Sequence, residues 1–271
     1  MNTPTYLVIG ATGKTGRRVT DRLLAGGHTV RAVSRSTTPR FEWEDPSTWP
    51  AALEGVDRAY VTYMPDLAAP GAVEAITAFT SAAAQAGVRR IVLLSGRGER
   101  SAEASERVVA ASGLEHTVIR SSWFTENFTE GHLLDSVLEG VIAMPAGAVR
   151  EPFVSVDDIA DIAVAALTSD AHVGRLYEVT GPRLLSFAEA ADLLAAATGR
   201  DVVYVPVTSD EFRAALTEIA GPEYAAMLTD LCDEVFDGRN ESVGHGVEEA
   251  LGRAPRDFAD VIGAADVGVP A

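Results

Sequence analysis

The apolar run Tyr6-Leu7-Val8-Ile9 stops at a glycine-rich stretch, Gly10-Ala11-Thr12-Gly13-Lys14-Thr15-Gly16, after which Val19, Leu23 and Leu24 keep a helical spacing up to Gly26-Gly27. This pattern predicts a strand, a glycine turn and a helix. Residues 29–34 read as a second strand, with further strands at 59–63, 90–94, 115–119, around 152–154, and at 176–179. Helical periodicity fills the intervals at 72–86, 102–111 and 156–167, the last opened by a capping-box candidate, Ser155-x-x-Asp158. Strands alternating with helices call for right-handed crossovers and a parallel sheet covered on both faces.

Two regions depart from this rhythm. Residues 41–49 are compressed around an acidic, proline-containing turn flanked by Trp43 and Trp49, so the third strand and the helix after it are short or absent. From Ser186 a second capping box, Ser186-x-x-Glu189, opens a helix through Ala197, and residues 202–207 form another strand. Residues 209–271 are mostly helical in pattern but broken at 237–240 and at Gly244-His245-Gly246. This tail reads as a lobe folded over the ligand edge of the sheet. The fold class is therefore α/β, a doubly wound parallel sheet of Rossmann type with a small, mostly helical C-terminal lobe. Residues 1–125 form the dinucleotide-binding core, and residues 126–271 the remaining sheet elements and the substrate lobe. No internal repeat or low-complexity linker interrupts it.

Charge narrows the partners. Acidic residues outnumber basic ones by 39 to 22, a formal charge of −17, which repels nucleic-acid phosphates and anionic membranes on average. The single cysteine, Cys232, makes no intramolecular disulfide, and no apolar run reaches the length of a membrane span or secretory signal. These features point to a cytoplasmic protein with a small-molecule partner, no nucleic acid, no membrane, and a homodimer as the assembly to test.

The glycine turn carries the most specific chemistry. Glycines let a backbone approach a pyrophosphate closely, and a helix N-terminus offers free N–H groups and a positive dipole end. Gly10, Gly13 and Gly16 would cradle the pyrophosphate, with Ala11, Thr12, Lys14 and Thr15 lining the loop. A glycine turn with no ligand is the plain alternative. A triphosphate loop would need glycine at position 8, where Val8 stands. The G-x-x-G-x-x-G spacing instead resembles that of short-chain dehydrogenases, which usually reduce carbonyls with a Tyr-x-x-x-Lys pair. Lys14 is the only lysine of the chain and no such pair occurs, so that mechanism is excluded.

At the end of the second strand an acidic residue suits the ribose hydroxyls of NAD, whereas an arginine suits a 2′-phosphate. This chain has Ser34-Arg35-Ser36 there. Arg35 can form a charge-assisted fork to that phosphate, so NADP is the expected cofactor, with NAD as the alternative; a solvated surface arginine is the plainer reading. In an open sheet the ligand lies beyond the carboxyl ends of the strands. Those ends place Tyr63-Met64-Pro65 after the fourth strand, Ser95-Gly96-Arg97 after the fifth, and Ser121-Ser122-Trp123-Phe124 after the sixth. Ser95 falls at the serine position of ordinary short-chain reductases, where a hydroxyl bonds a substrate oxygen or the nicotinamide amide; a strand-end cap is the alternative. Trp123 and Phe124 can stack a flat substrate, although such a pair beside a sheet is more often core. Asn127 orients that loop, and His132 is the histidine to test as a proton donor, a surface position being its commoner fate.

His28, His116, His172 and His245 show no metal-ligand spacing with each other or with Cys232, and the acidic run 230–237 reads as a solvated helix face. No metal and no covalent nucleophile are expected.

An ordered set of segments resembles the NmrA-like branch of atypical short-chain dehydrogenases. The set comprises residues 8–16, Leu53-Glu-Gly-Val-Asp57, Glu106 followed by Ala111-Ser-Gly-Leu114 and Thr117-Val-Ile-Arg120, and Trp123-Phe-Thr-Glu-Asn-Phe128. Residues 153–160 and 180–187 complete it, so the resemblance covers the chain to about residue 207. Where many members carry His or Tyr shortly before the glutamate, this chain has Ala102 and small neighbours. The resemblance implies an NAD(P)-binding sheet with a small C-terminal lobe. Its members range from quinone, flavonoid-type and polyketide-tailoring reductases to redox sensors that bind the dinucleotide without turnover. Loss of the tyrosine–lysine pair beside an intact dinucleotide loop favours hydride delivery to a planar conjugated substrate, a quinone or aromatic polyketide, whose reduced phenolate needs no strong acid. Aromatic hydroxylation through a reduced hydroquinone and oxygen is a variant, and a dinucleotide sensor acting on a protein partner is the alternative from another class.

Overall fold

The computed structural model describes residues 4–265. Six parallel strands form the central sheet: β1 (Thr5–Ile9), β2 (Thr29–Val33), β3 (Arg58–Val61), β4 (Arg90–Gly96), β5 (Glu115–Ser121) and β8 (Arg175–Val179), in the order β2-β1-β3-β4-β5-β8. Successive side chains of a strand point to opposite faces, and β1 shows the consequence. Tyr6 and Val8 enter one core with α1 (Lys14–Ala25) and α6 (Val156–Thr168), while Leu7 and Ile9 enter the other with α3 (Ala72–Gln85) and α4 (Arg100–Ala111). Burial on both faces explains why these strands read as continuous apolar runs. The parallel sheet with helices on both faces agrees with the fold class read from the pattern.

Residues 41–49 contain no sheet strand. Phe41, Trp43 and Trp49 pack with Phe79 of α3, Trp43 and Trp49 each donating an indole N–H to a backbone carbonyl, of Thr62 and Glu42 respectively. Only the short helix α2 (Trp49–Leu53) follows. The aromatic cluster stands where a strand was expected, so Tyr63-Met64-Pro65 follow the third strand, Ser95 is the last residue but one of the fourth, and Ser121 ends the fifth.

The strand expected around residues 152–154 is a correction. Arg150–Glu151 (β7) pairs instead with Leu185–Ser186 (β9), outside the central sheet, and Val154 makes only an isolated bridge with Phe124. Prolines and a short span suit a local clip better than a sheet strand. Ser155 is likewise not a full capping box: its hydroxyl accepts from Asp157 N–H and donates to Glu126, while Asp158 is buried against Arg253 and Arg256. The Ser186–Glu189 box is present, opening α7 (Phe187–Thr198).

A third apolar core lies beyond the sheet, centred on Phe128, Phe153, Phe187 and Phe258. It is built from α5 (Leu134–Glu139), β6 (Val141–Met144), α7, β10 (Val203–Pro206), α8 (Ser209–Ala220), α9 (Pro222–Val235) and α11 (Phe258–Ala264), β6 and β10 pairing in parallel. The intervening α10 (Gly246–Leu251) returns to the sheet, where a Cβ at Gly246 would lie 2.5 Å from Glu178 O. No helix among the described residues is long and apolar enough to cross a membrane.

Candidate active site

One cavity of about 1010 Å³ runs along the carboxyl ends of the strands, from the glycine turn to the inner face of α9. Its first half is shaped by backbone. Gly10 has φ +69° and Gly13 N–H donates to Gly10 O at 2.8 Å, closing the turn. A Cβ at Gly16 would sit 2.2 Å from Gly10 O, so this glycine lets α1 approach the loop. Gly10, Thr12, Gly13, Lys14 and Thr15 line the cavity. Gly16 and Ala11 do not: the first packs behind the turn, and the second is buried, its N–H donating to Val33 O at 3.1 Å. No side chain caps the start of α1, which leaves its first N–H groups for an anion.

Ser34, Arg35 and Ser36 lie on the same wall. The Ser34 and Ser36 hydroxyls are 3.2 Å apart, and Arg35 is exposed with no carboxylate partner among the described residues. These features fit a dinucleotide: room for a close backbone, free N–H groups and an unclaimed guanidinium. Lys14 behaves differently from a loop-lining residue. Its ammonium crosses the cavity to donate to Asn127 Oδ1 at 2.7 Å and lies 6.0 Å from the Phe124 ring centre, and burial lowers its pKa.

Tyr63, Met64 and Pro65 edge the middle of the cavity, and Ser95, Trp123, Phe124, Asn127 and His132 all reach it. The Ser95 hydroxyl donates to Glu106 Oε1 at 2.6 Å, and Glu106 also binds Arg120. The serine proton is thus committed to a buried carboxylate. Trp123 borders the cavity and also packs on Phe236, with ring centres 5.1 Å apart. The loop carrying it is pinned by Glu126, which accepts from Ser155 Oγ and Val156 N at 2.8 and 2.9 Å. His132 meets Trp123 edge to face at 5.9 Å, and its free surface opens into the cavity. Protein on its other sides, together with the Lys14 charge, pushes its pKa down to about 4, so the imidazole is neutral near pH 7.

Three carboxyl groups at this end escaped sequence reading. Asp66 follows β3, Glu99 follows β4 and Glu151 lies on β7, and all line the cavity opposite Tyr224, Leu228 and Leu231 of α9. Glu99 is 8% and Glu151 1% exposed, and Glu99 Oε2 and Glu151 Oε1 have no hydrogen-bond partner among the described residues. Burial pushes the Glu151 carboxyl up to about 8. Asp66 and Glu99 are raised as well, each first by burial, and Glu99 further by the Asp66 charge. No motif announces them, because three separate segments deliver them; the acidic excess of the chain was the only hint.

The NmrA-like family model matches residues 2–258, and the chain belongs to that family. It is 30% identical to festuclavine dehydrogenase of Aspergillus fumigatus, with 94% of this chain and 96% of that protein covered. It is 31% identical to an NAD(P)H azoreductase of Xenophilus azovorans, covering 94% and 95%. Among solved structures, the NADPH-dependent quinone oxidoreductase of Escherichia coli complexed with NADPH superposes with a TM-score of 0.78 at 21% identity, over 95% of this chain and 98% of that one, which shows the same fold.

Proposed function

We propose that the protein is an NADP(H)-dependent oxidoreductase, able to take NAD(H), that reduces a planar conjugated small molecule of the quinone or aromatic ketone class. The observation that carries this reading is the continuity of the cavity, which joins an anion-binding turn to an aromatic and aliphatic chamber with no tyrosine–lysine pair. Gly10, Thr12, Gly13 and the start of α1 would hold the pyrophosphate and Arg35 the 2′-phosphate. When bound, the reduced dinucleotide supplies a hydride. Trp123 and Phe124 would hold the flat acceptor, while Leu228, Leu231 and Val235 exclude water. Ser95 serves this site by fixing Glu106, and neutral His132 by offering a ring nitrogen to the substrate or to Asn127's loop.

The names of the azoreductase and the quinone oxidoreductase support a conjugated acceptor, and that of the dehydrogenase supports redox chemistry on a small molecule. The missing tyrosine–lysine pair supports it independently. A reduced quinone is a phenolate whose conjugate acid has a pKa of about 10, by analogy with tyrosine, so a weak acid can protonate it. Incubation with NADPH or NADH and a panel of quinones and aromatic ketones tests the reading. Cofactor oxidation dependent on acceptor is expected; its absence across the panel with both cofactors would sink the proposal.

A further inference from the structure

The chamber contains two carboxyl groups within hydrogen-bonding reach of each other, Asp66 and Glu99, and neither has an arginine or lysine partner among the described residues. The nearby cations are taken: Arg97 donates to Asn240 O and Ser242 O, and Arg239 to Gly98 O and Asp237. The charged and titratable groups that face the pair are also fixed. Glu106 is held by Arg120, Glu234 of α9 lies between Arg100 and Arg239, and Tyr224 of α9 keeps its phenol proton. Glu99 folds back over the end of β4, where a Cβ on Gly96 would lie 1.7 Å from its Oε1. This places it beside Ser95, at the strand end where ligands of open sheets lie.

Two ionised carboxylates at such close range repel strongly, whereas a single proton between them turns repulsion into a hydrogen bond. Glu99 Oε2, buried and without a donor, is the acceptor left over by the ionised form. We propose that Asp66 and Glu99 share one proton and are the general acid of this site, delivering that proton to the oxygen of the reduced substrate. This rests on the reading of the substrate as a quinone or conjugated ketone. The balance is complete: the quinone accepts a hydride from NAD(P)H and becomes a hydroquinone monoanion, leaving NAD(P)+. The O–H bond of the shared proton then breaks, a new O–H forms on the phenolate, and the doubly ionised pair regains its proton from water. A carboxyl pair in this place supplies what the absent tyrosine would.

The test combines infrared spectroscopy of the free protein with kinetics. At pH 7 the difference spectra of wild type against Glu99→Gln and against Asp66→Asn should each show loss of one protonated-carboxyl band, with the Glu151 band kept in both. With a quinone, Glu99→Gln should lower kcat about a hundredfold or more, with little change in KM, and abolish the decline of kcat at alkaline pH. With an acceptor that already carries a positive charge, whose reduction consumes no proton, the variant should stay within about twofold of wild type. No band lost in either variant, an unchanged quinone rate, or an equal loss on both acceptors would each overturn the proposal. If wild type reduces the cationic acceptor but no quinone, the quinone reading fails and takes the donor role with it. The infrared result then still reports the shared proton.

Discussion

The two ends of the cavity are built on opposite principles. At the glycine end two short stretches, the turn and the end of β2, make the site, backbone atoms do most of the shaping, and the free charge is positive: uncapped N–H groups of α1 and Arg35, which has no carboxylate partner among the described residues. At the α9 end side chains from several separate stretches meet, the walls are largely apolar, and the unpaired polar groups are carboxyls. An anion of fixed shape can be bound by local geometry, so its site is compact in sequence. A chamber for a variable substrate needs walls from elements that are distant in sequence, and its chemistry is set by what folding buries there.

The sharpest way to break the first end is to add a side chain where backbone must pass. Gly16→Val would put a branched Cβ 2.2 Å from Gly10 O. Because the obstacle is backbone, the cost should exceed about 3 kcal/mol, the upper range for overpacking. Thermal unfolding and dinucleotide titration should show a large loss of stability and no measurable cofactor binding.

The opposite sign is expected at the other end. Glu151 is buried without a partner and has a pKa near 8 against an ordinary 4.5. The native state therefore binds its proton more tightly than the unfolded chain, and stability falls as pH rises from 4.5 to about 8. Glu151→Gln should stabilise the protein by at most about 3 kcal/mol at pH 7 and not at all at pH 4. Denaturant titrations at the two pH values decide it, and equal effects at both would mean that burial of the charge is not the cause.

This contrast also explains what the sequence could and could not reveal. The turn at residues 10–16, the alternation of strands with helices, and Arg35 at the end of β2 are local features, and each stands where its spacing indicated. Gly16 was assigned to the ligand but serves the packing of α1, since spacing cannot say which side of a turn a glycine faces. Lys14 reaches Asn127, 113 residues away, a contact that no local pattern encodes. Residues 152–154 had strand composition but only a short clip to join. Asp66, Glu99 and Glu151 look like ordinary surface carboxylates in sequence, and only the tertiary fold buries Glu99 and Glu151 and half-buries Asp66 on one cavity wall.

Arg35 offers a smaller test, of the charge at the glycine end. In a chain of net charge −17, binding a 2′-phosphate needs local positive charge, and Arg35 has none of its own carboxylates to satisfy. A charge-assisted hydrogen bond contributes about 1.5–3 kcal/mol, roughly tenfold or more in affinity. Arg35→Ala should weaken NADPH by about that factor and leave NADH nearly unchanged. Titration of both cofactors against both proteins measures it. An equal loss for the two would show that Arg35 does not read the phosphate.

The smallest effect is expected at His132, which joins the two ends by facing Trp123 and feeling the charge of Lys14. Its pKa is depressed from 6.5 to about 4, so the unfolded chain takes up the proton first as pH falls. The associated stability is present above pH 6.5 and is lost as pH drops through 6.5 toward 4. Activity, by contrast, should show no step near pH 6.5, because the imidazole stays neutral throughout the range in which a free histidine would titrate. Histidine NMR titration should find this ring with a midpoint near 4, and His132→Gln should leave the pH profile of kcat unchanged in shape between pH 5.5 and 8. A limb near pH 6.5 that disappears in His132→Gln would restore His132 as the acid and shift the proton transfer from the α9 end to the Lys14 side of the cavity.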